Sequence, residues 1–323
     1  MGKSRGRRDR LLARPVSGAM LRVLELRKAG NRCGLCTLPL HFIDSDPQGA
    51  HMSSLELVAG RQARFASSGL PAGSTVARQM SQLVSAHLQR HQSGVLLRTE
   101  GEENGSVYIA LAGWLGVARS TLDGNRLIND VILPGDMIDP ASANAQTSAV
   151  EIEALTNVTC AAIPRAKWVR VVDQSPELRE VVHQESGATL TRMSGRMLRM
   201  GKSDAESIIA YALCELALRS TGRALEEVGS FQLPLTQQQL GDFCGLSSVH
   251  ICRTLQRLRR NGVLDVCNHV DVTLQDVDAL AEIAQIDPES LRAEIMPRII
   301  LTPPLSHGQK QRRQGAGLAR STA

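Results

Sequence analysis

Long apolar runs are missing from this chain of 323 residues. No uninterrupted apolar stretch approaches the roughly 18 residues that a membrane-spanning helix needs. The first residues also lack the apolar core of a secretory signal, and their basic, acid-poor composition favours a disordered tail over an organellar transit peptide. We therefore expect a protein that has no membrane partner and works in the cytoplasm.

A regular cysteine framework and a catalytic fingerprint are missing as well. The seven cysteines are odd in number and irregularly spaced, which fits a reducing compartment. No catalytic base or cofactor motif accompanies the Cys33 and Cys36 pair. The sequence therefore predicts that the protein is not an enzyme. The alternative, a cysteine-dependent redox enzyme, would be tested by an assay of thiol–disulfide turnover.

Acidic residues are scarce at both ends of the chain. Residues 1–28 hold nine Lys and Arg against two acids, and residues 302–323 hold four Lys and Arg and no acid. Because the overall net charge is +5, residues 29–301 carry a net charge of −6. Within this acidic body, residues 236–262 stand out with four arginines against Asp242. The local contrast predicts a polyanionic partner.

The basic segment begins with the pattern of a short helix. Thr236 followed by Gln239 is a capping box, in which side chains satisfy the free N–H groups of a first turn, so a helix should begin near Gln237. Gly245 ends this helix because glycine adopts the left-handed backbone of a tight turn.

A second helix should follow from Ser248 to Arg260, with Ser247 as its N-cap and Asn261-Gly262 as its end. One face of this helix is apolar, with Ile251, Leu255 and Leu258 at helical spacing. The opposite face carries Ser248, Val249, Cys252, Arg253 and Gln256.

Two short helices joined by a glycine turn are typical of a helix-turn-helix, whose second helix enters the major groove of DNA. Arg253 can bond guanine O6 and N7 together, whereas the three following arginines suit phosphates. The alternative is an ordinary helical hairpin with a solvated arginine face. We expect DNA contacts from Thr236, Gln237, Ser247, Ser248, Val249, His250, Cys252, Arg253, Gln256, Arg257, Arg259 and Arg260.

Two short β-rich runs after the second helix predict a wing. They are Val263 to Val266 and Val270 to Leu274, around Asn268. Because the wing carries Asp265 and Asp271, we do not expect it to grip phosphate strongly.

Residues from about 95 to 164 alternate short strands with turns. The strands are VLLRTE, VYIALAG, WLGVARS, LINDVIL, AVEIEAL and VTCAAIP, and Asp123-Gly124 is a strong hairpin signal. This spacing predicts a jelly roll or barrel. A short helix over residues 79–91 should lead into it.

Residues 177–200 predict one long helix, followed by another from Asp204 to Arg219. The second half of the long helix carries a coiled-coil seam that indicates a dimer interface, whereas Val181 and Val182 should face the barrel. The seam residues are Leu190, Met193, Met197 and Met200.

The expected fold class is α+β, with an N-terminal antiparallel β jelly roll, a long dimerisation helix and a C-terminal winged helix-turn-helix. The predicted divisions are a basic tail (1–30), a Cys pair with a connecting helical segment (31–90), the β jelly roll (91–165), the dimerisation helix (166–201), the winged helix-turn-helix (202–285) and a C-terminal tail (286–323).

Two stretches resemble the Crp/Fnr family of bacterial transcription regulators. They are GWLGVARSTLDGNRLINDVILPGDMI and LPLTQQQLGDFCGLSSVHICRTLQRLRRNG, and the resemblance covers residues from about 90 to 285 and, more weakly, 33 to 40. It implies that the positions of Val249, Cys252 and Arg253 face base edges. Arg253 keeps the residue type usual in the family. Val249 and Cys252 depart from the usual polar pair, so the operator sequence does not carry over.

The resemblance also bears on the signal that the barrel receives. Family members that bind cyclic nucleotide use a Gly-Glu pair and an Arg-Ser pair, and the matching positions here are Asp139-Pro140 and Thr147-Ser148. Losing the arginine removes the bidentate phosphate contact, so we expect no cyclic nucleotide.

Oxygen-sensing members hold an iron–sulfur cluster, and here Cys33, Cys36 and Cys160 match three of its ligands. The position of a third N-terminal cysteine is Phe42, so a fourth ligand would be His41, Asp44 or a partner. A cluster or a zinc site is therefore one alternative. In the other interpretation of Cys160, it is a small buried side chain of a strand. In the other interpretation of Cys33 and Cys36, the pair is redox-labile or is a remnant of the family's cysteine cluster.

The sequence as a whole favours a homodimeric transcription regulator that binds a palindromic operator in double-stranded DNA and works with RNA polymerase. The barrel would receive a signal that changes the orientation of the helix-turn-helix. The alternative is a signal-binding regulatory module that acts on a partner protein, and salt-sensitive duplex binding separates the two.

Overall fold

The structure is a computed structural model that describes residues 75–138, 146–268 and 270–296. Its first part consists of one helix and eight strands. The helix is α1 (Thr75–Ser85), and the strands are β1 (Leu88–His91), β2 (Leu96–Arg98), β3 (Ser106–Ala112), β4 (Leu115–Ser120), β5 (Arg126–Ile132), β6 (Met137–Ile138), β7 (Glu151–Ala154) and β8 (Val158–Pro164).

The eight strands form two four-stranded antiparallel sheets. Their strand orders are β1-β8-β3-β6 and β2-β7-β4-β5. Along β7, Ile152 and Ala154 are buried and alternate with half-buried Glu151 and Glu153, as the period of two requires. The predicted jelly roll is therefore confirmed.

The predicted helix over residues 79–91 is wrong at its end. Helix α1 stops at Ser85, and Leu88–His91 is a strand that pairs with β8, Leu88 lying opposite Ala161. Strand β8 would otherwise leave one edge unpaired, so backbone pairing in the sheet overrides the local helical pattern.

One apolar cluster fills the barrel, and a second covers its outer face. One encloses Cys160 with Tyr108, Ile132 and Ile152 between the sheets. The other packs the outer face of β3 and β8 against the helices. It includes Trp168, Val181 and Val182, which confirms that the two valines face the barrel.

The second part of the chain begins with three helices, α2 (Arg165–Gln174), α3 (Pro176–Lys202) and α4 (Ala205–Thr221). The long helix predicted over residues 177–200 is confirmed as α3, and the division drawn around it at 166–201 also contains α2. Ser175 separates them because its extended backbone ends α2 and its Oγ accepts a hydrogen bond from Leu178 N at 3.1 Å.

The remaining elements form the winged helix-turn-helix and a C-terminal helix pair. They are a 3-10 turn (Leu225–Glu227), β9 (Ser230–Gln232), α5 (Gln237–Cys244), α6 (Ser248–Arg260), β10 (Leu264–Cys267), β11 (Asp271–Leu274), α7 (Val277–Ala284) and α8 (Pro288–Ile295). The wing strands β10 and β11 are confirmed, and β9 joins them as a third strand that the sequence did not reveal.

The predicted C-terminal tail starts too early. Residues 288–295 form α8, whose Leu291 and Ile295 are buried against the helices before it. The signal was present in the sequence, since Asp287 is an N-cap, Pro288 is in the first turn and the two apolar residues are one turn apart.

The described residues, apart from Leu122–Gly124, belong to one compact unit. No helix in the described ranges has both the length and the apolar character that crossing a bilayer requires.

Candidate DNA-binding surface

Helix α5 is fixed at both ends by its own sequence. Thr236 Oγ1 accepts from Gln239 N at 3.1 Å while Gln239 Oε1 accepts from Thr236 N at 2.9 Å, which confirms the predicted capping box. Gly245 ends the helix with a φ of 67°. These local contacts define where the turn of the motif begins.

The turn also brings the two helices unusually close at Gly241. A Cβ placed on Gly241 would lie 2.5 Å from the backbone oxygen of Leu246, a distance that no side chain tolerates. Glycine at this position therefore sets the spacing between α5 and α6, and sequence reasoning did not single it out.

Helix α6 has the two faces that the sequence predicts. Ser247 Oγ caps it by accepting from His250 N at 3.3 Å, and Asn261 ends it. Ile251 and Leu258 are buried in the core, and Leu255 packs against it. Among the predicted DNA-contacting residues, Ser248 and Cys252 are half-buried, whereas the exposed ones are Thr236, Gln237, Ser247, Val249, His250, Arg253, Gln256, Arg257, Arg259 and Arg260.

The arginines of α6 differ in their partners. Arg257 Nη1 lies 3.0 Å from Glu206 Oε2, and Arg259 Nε lies 2.7 Å from Asp265 Oδ1 of the wing. Both arginines are more than half exposed, so these ion pairs are weak and phosphate can compete for them. The side chain of Arg253 makes no ion pair or hydrogen bond with another described residue, and it is exposed, so its guanidinium is available to a ligand.

A network of buried ion pairs connects the barrel to helices α3 and α4. Asp130 of β5 bonds Arg192 of α3, with Oδ2 and Nη2 2.8 Å apart, and its Oδ1 lies 3.2 Å from Arg196 Nη2. Glu215 of α4 accepts two bonds from Arg196 Nη1, at 2.6 and 2.7 Å. Strand β5, helix α3 and helix α4 are thereby joined through charged groups that are almost fully buried.

The same network reaches the helix-turn-helix and the loop after β5. The Arg196 guanidinium lies over the ring of Phe243 in α5, 4.6 Å from its centroid. Arg219 Nη2 lies 2.7 Å from Asp136 Oδ2. Sequence reasoning missed this network, although Glu215 and Arg219, one turn apart on an otherwise apolar helix, were a visible signal.

A second contact ties the barrel to the helix-turn-helix. Arg126 bonds Glu151 and Glu153 at 2.6 Å each, and its Nη1 lies 3.5 Å from Asp242 of α5. Since Arg126 belongs to β5, this strand of the barrel contacts α5 of the helix-turn-helix through an ion pair.

The predicted seam on α3 splits into two environments. Leu190, Met193 and Met197 are exposed apolar side chains, as is the neighbouring Leu198. Met200 is only half-exposed and lies against the turn of the DNA-binding motif, its Sδ 3.4 Å from where a Cβ of Gly245 would be. The exposed apolar strip is therefore Leu190, Met193, Met197 and Leu198.

Of the three cysteines matched to a cluster, Cys160 is the one that the structure describes. It is fully buried between the sheets, and burial raises the pKa of its thiol to about 11. The described ranges contain no group of three His, Cys, Asp or Glu able to hold a metal. Cys33 and Cys36 lie outside these ranges.

The positions matched to a cyclic nucleotide site are only partly described. Asp139-Pro140 lies outside the described residues. Thr147 is exposed, and Ser148 is buried with its Oγ donating to Val150 O at 2.7 Å. The hydroxyl of Ser148 is therefore committed to the backbone of its own loop.

Comparison with known families assigns both parts of the molecule. Residues 88–175 match the cyclic nucleotide-binding domain, and residues 209–283 match the Crp-like helix-turn-helix domain. The first match spans the barrel and α2, and the second spans most of α4 through most of α7.

Individual relatives are similar along most of their length. The chain is 24% identical to the transcriptional activator protein FnrL of Cereibacter sphaeroides over 206 residues, which are 63% of this chain and 82% of that protein. It is 26% identical to the nitrogen fixation regulation protein FixK of Bradyrhizobium diazoefficiens over 202 residues, 60% of this chain and 83% of the relative. The solved structure of FixK2 from Bradyrhizobium japonicum shares the fold, with a TM-score of 0.56 and 20% identity over 62% of this chain and 98% of that one.

The fold and the site thus define a winged helix-turn-helix protein with a barrel of the cyclic nucleotide-binding type. The chain belongs to the Crp/Fnr family of bacterial transcription regulators.

Proposed function

We propose that the protein is a cytoplasmic, homodimeric regulator that binds a two-fold symmetric operator through α6. The observation that carries this proposal is the exposed face of α6, on which Arg253 is unpaired while its neighbours Arg257 and Arg259 hold weak ion pairs. An arginine fork free in the major groove can bond guanine O6 and N7 together.

The supporting phosphate contacts come from the ends of the motif. Thr236 and Gln237 lie at the N-terminus of α5, where free N–H groups favour anions. Arg257, Arg259 and Arg260 lie in the last turn of α6. These groups fix the register of the protein on the duplex, and Arg253 contributes to sequence choice.

Dimerisation follows from the exposed apolar strip on α3, which a second copy of the same helix would cover. One recognition helix covers too few base pairs to specify a site, so two copies would read half-sites about one helical turn apart. The buried network and the Arg126–Asp242 contact would carry a signal from the barrel to α5. RNA polymerase would be the further partner of the DNA-bound dimer.

Two arginine variants and a distant control test the assignment. Arg253→Ala should cost about 1–3 kcal/mol at the cognate site and relax the preference at one base pair. Arg259→Ala should weaken binding to all duplexes alike. It should also make the slope of log binding constant against log salt concentration shallower by about one. Arg90→Ala, an exposed residue on the barrel strand β1, should change neither. Equal losses on cognate and random duplexes for Arg253→Ala would defeat the assignment, and so would binding to a partner protein without duplex binding.

A further inference from the structure

Val249 is an apolar side chain exposed on the polar face of the recognition helix. Its exposed fraction is 54%, and among the described residues from 205 to 296 no other large hydrophobic side chain is exposed. Its neighbours Ser247 and His250 are polar and exposed. The surface of α6 that points away from the core therefore contains one apolar spot.

Val249 also lies on the same stripe as the base-reading arginine. Val249, Arg253 and Gln256 follow one another at spacings of four and three residues, so they project from one face of α6. One helical turn rises about 5.4 Å and a base pair about 3.4 Å, so these side chains would reach base pairs within two steps of each other. Val249 is nearer to the N-terminus of α6, which enters the groove first.

The chemistry of a valine restricts what it can read in the major groove. Valine has no acceptor for the N4 amino group of cytosine and no donor for guanine or adenine N7. The apolar group that B-DNA presents in this groove is the C5-methyl of thymine. An exposed isopropyl group next to a guanine-reading arginine is therefore complementary to a thymine.

We propose that Val249 is a specificity-determining residue that selects a T·A pair, through its thymine methyl, within two base pairs of the guanine contacted by Arg253. The proposal rests on the proposed function, since it requires that α6 read a duplex.

The test uses an operator that the protein has selected from a random pool of duplexes. Each thymine of this operator is replaced, one at a time, by deoxyuridine, which removes only the methyl group. For one thymine in each half-site, the wild-type protein should lose affinity about threefold to fivefold per half-site, the value expected for one buried methyl. Val249→Ala should bind the thymine and deoxyuridine versions of that operator equally. Gln256→Ala, altered on the same stripe, should still discriminate between them.

A second variant reverses the preference rather than removing it. Val249→Glu places an acceptor at the same position, so the preferred pair there should change from T·A to C·G. Because Val249 is exposed, neither substitution disturbs the core, and thermal midpoints should stay near the wild-type value. The proposal is overturned if deoxyuridine substitution costs the wild type and Val249→Ala the same at every thymine. If Arg253→Ala still loses the preference at the base pair that Arg253 contacts, the proposed function holds and only the role of Val249 is refuted. If no operator is selected from random duplexes, both are refuted.

Discussion

Arg192 of the long helix and Asp130 of strand β5 form a buried ion pair, with 2.8 Å between Nη2 and Oδ2 and side chains only 2% and 3% exposed. The pair joins the sensor barrel to the helix that carries the exposed apolar strip. Around it, Arg196 and Arg219 face Glu215 and Asp136.

Replacing the central carboxylate should be costly. Asp130→Asn removes the negative charge that faces three buried guanidinium groups, so the free energy of unfolding should fall by about 3–5 kcal/mol. Urea denaturation measures this loss. The matched control is Glu100→Gln, which breaks an exposed pair with Arg119 and should cost less than about 1 kcal/mol. Equal, small costs for the two variants would contradict a structural role of the network.

Glu185 should make stability depend on pH. Burial, with a further contribution from Asp136, raises the pKa of Glu185 from 4.5 to about 8, opposed by Arg192 and Arg219. The folded protein therefore binds this proton more tightly than the unfolded chain, so the stabilising effect is full below pH 4.5 and is lost as pH rises towards 8.

The matching measurement is the thermal midpoint between pH 5 and pH 8.5. We expect the wild-type midpoint to fall across this interval and Glu185→Gln, which stays neutral, to remove much of the fall. Parallel profiles for the two proteins would show that Glu185 keeps an ordinary pKa in the folded state.

Two glycine substitutions should have opposite effects. Gly241→Ala places a Cβ 2.5 Å from Leu246 O, so it should separate α5 from α6 and abolish specific DNA binding. Gly201→Ala, on the exposed last turn of α3, meets nothing within 4 Å and should stabilise by up to about 1 kcal/mol. Thermal melting and duplex binding of both variants check the pair. Normal operator binding by Gly241→Ala would mean that the helices are farther apart.

The apolar strip on α3 should hold the dimer together. Met193→Glu and Met197→Glu put charges into an interface that excludes water, so sedimentation should show monomers that have lost tight operator binding. Met193→Leu keeps the apolar surface and should remain dimeric. A wild-type protein that is monomeric when bound to DNA would remove the basis for the two-fold operator.

Local features of this molecule were readable from the sequence, whereas long-range ones were not. The capping box at Thr236 and Gln239 and the αL turn at Gly245 depend on residues at most four positions apart, so their pattern was sufficient. Strand β1 was mistaken for helix because its partner β8 is about 70 positions later. The bonds from Asp130 to Arg192 and Arg219 span 62 and 89 positions, and only the folded chain brings them together.

The same distinction between local and long-range features applies to the candidate DNA-binding surface. The face of α6 was predictable because one helix carries it. The ion pairs of Arg257 with Glu206 and of Arg259 with Asp265 were not, because the partners belong to other elements.

Sequence-specific binding to a two-fold operator can be measured by selecting duplexes from a random pool with the full-length protein, with and without oxygen. We expect enrichment of a two-fold symmetric sequence with half-sites about one helical turn apart. This sequence should bind at least about 10³-fold more tightly than a scrambled duplex at physiological salt. Failure to enrich any sequence under either condition, or equal affinity for selected and scrambled duplexes, would contradict sequence-specific binding.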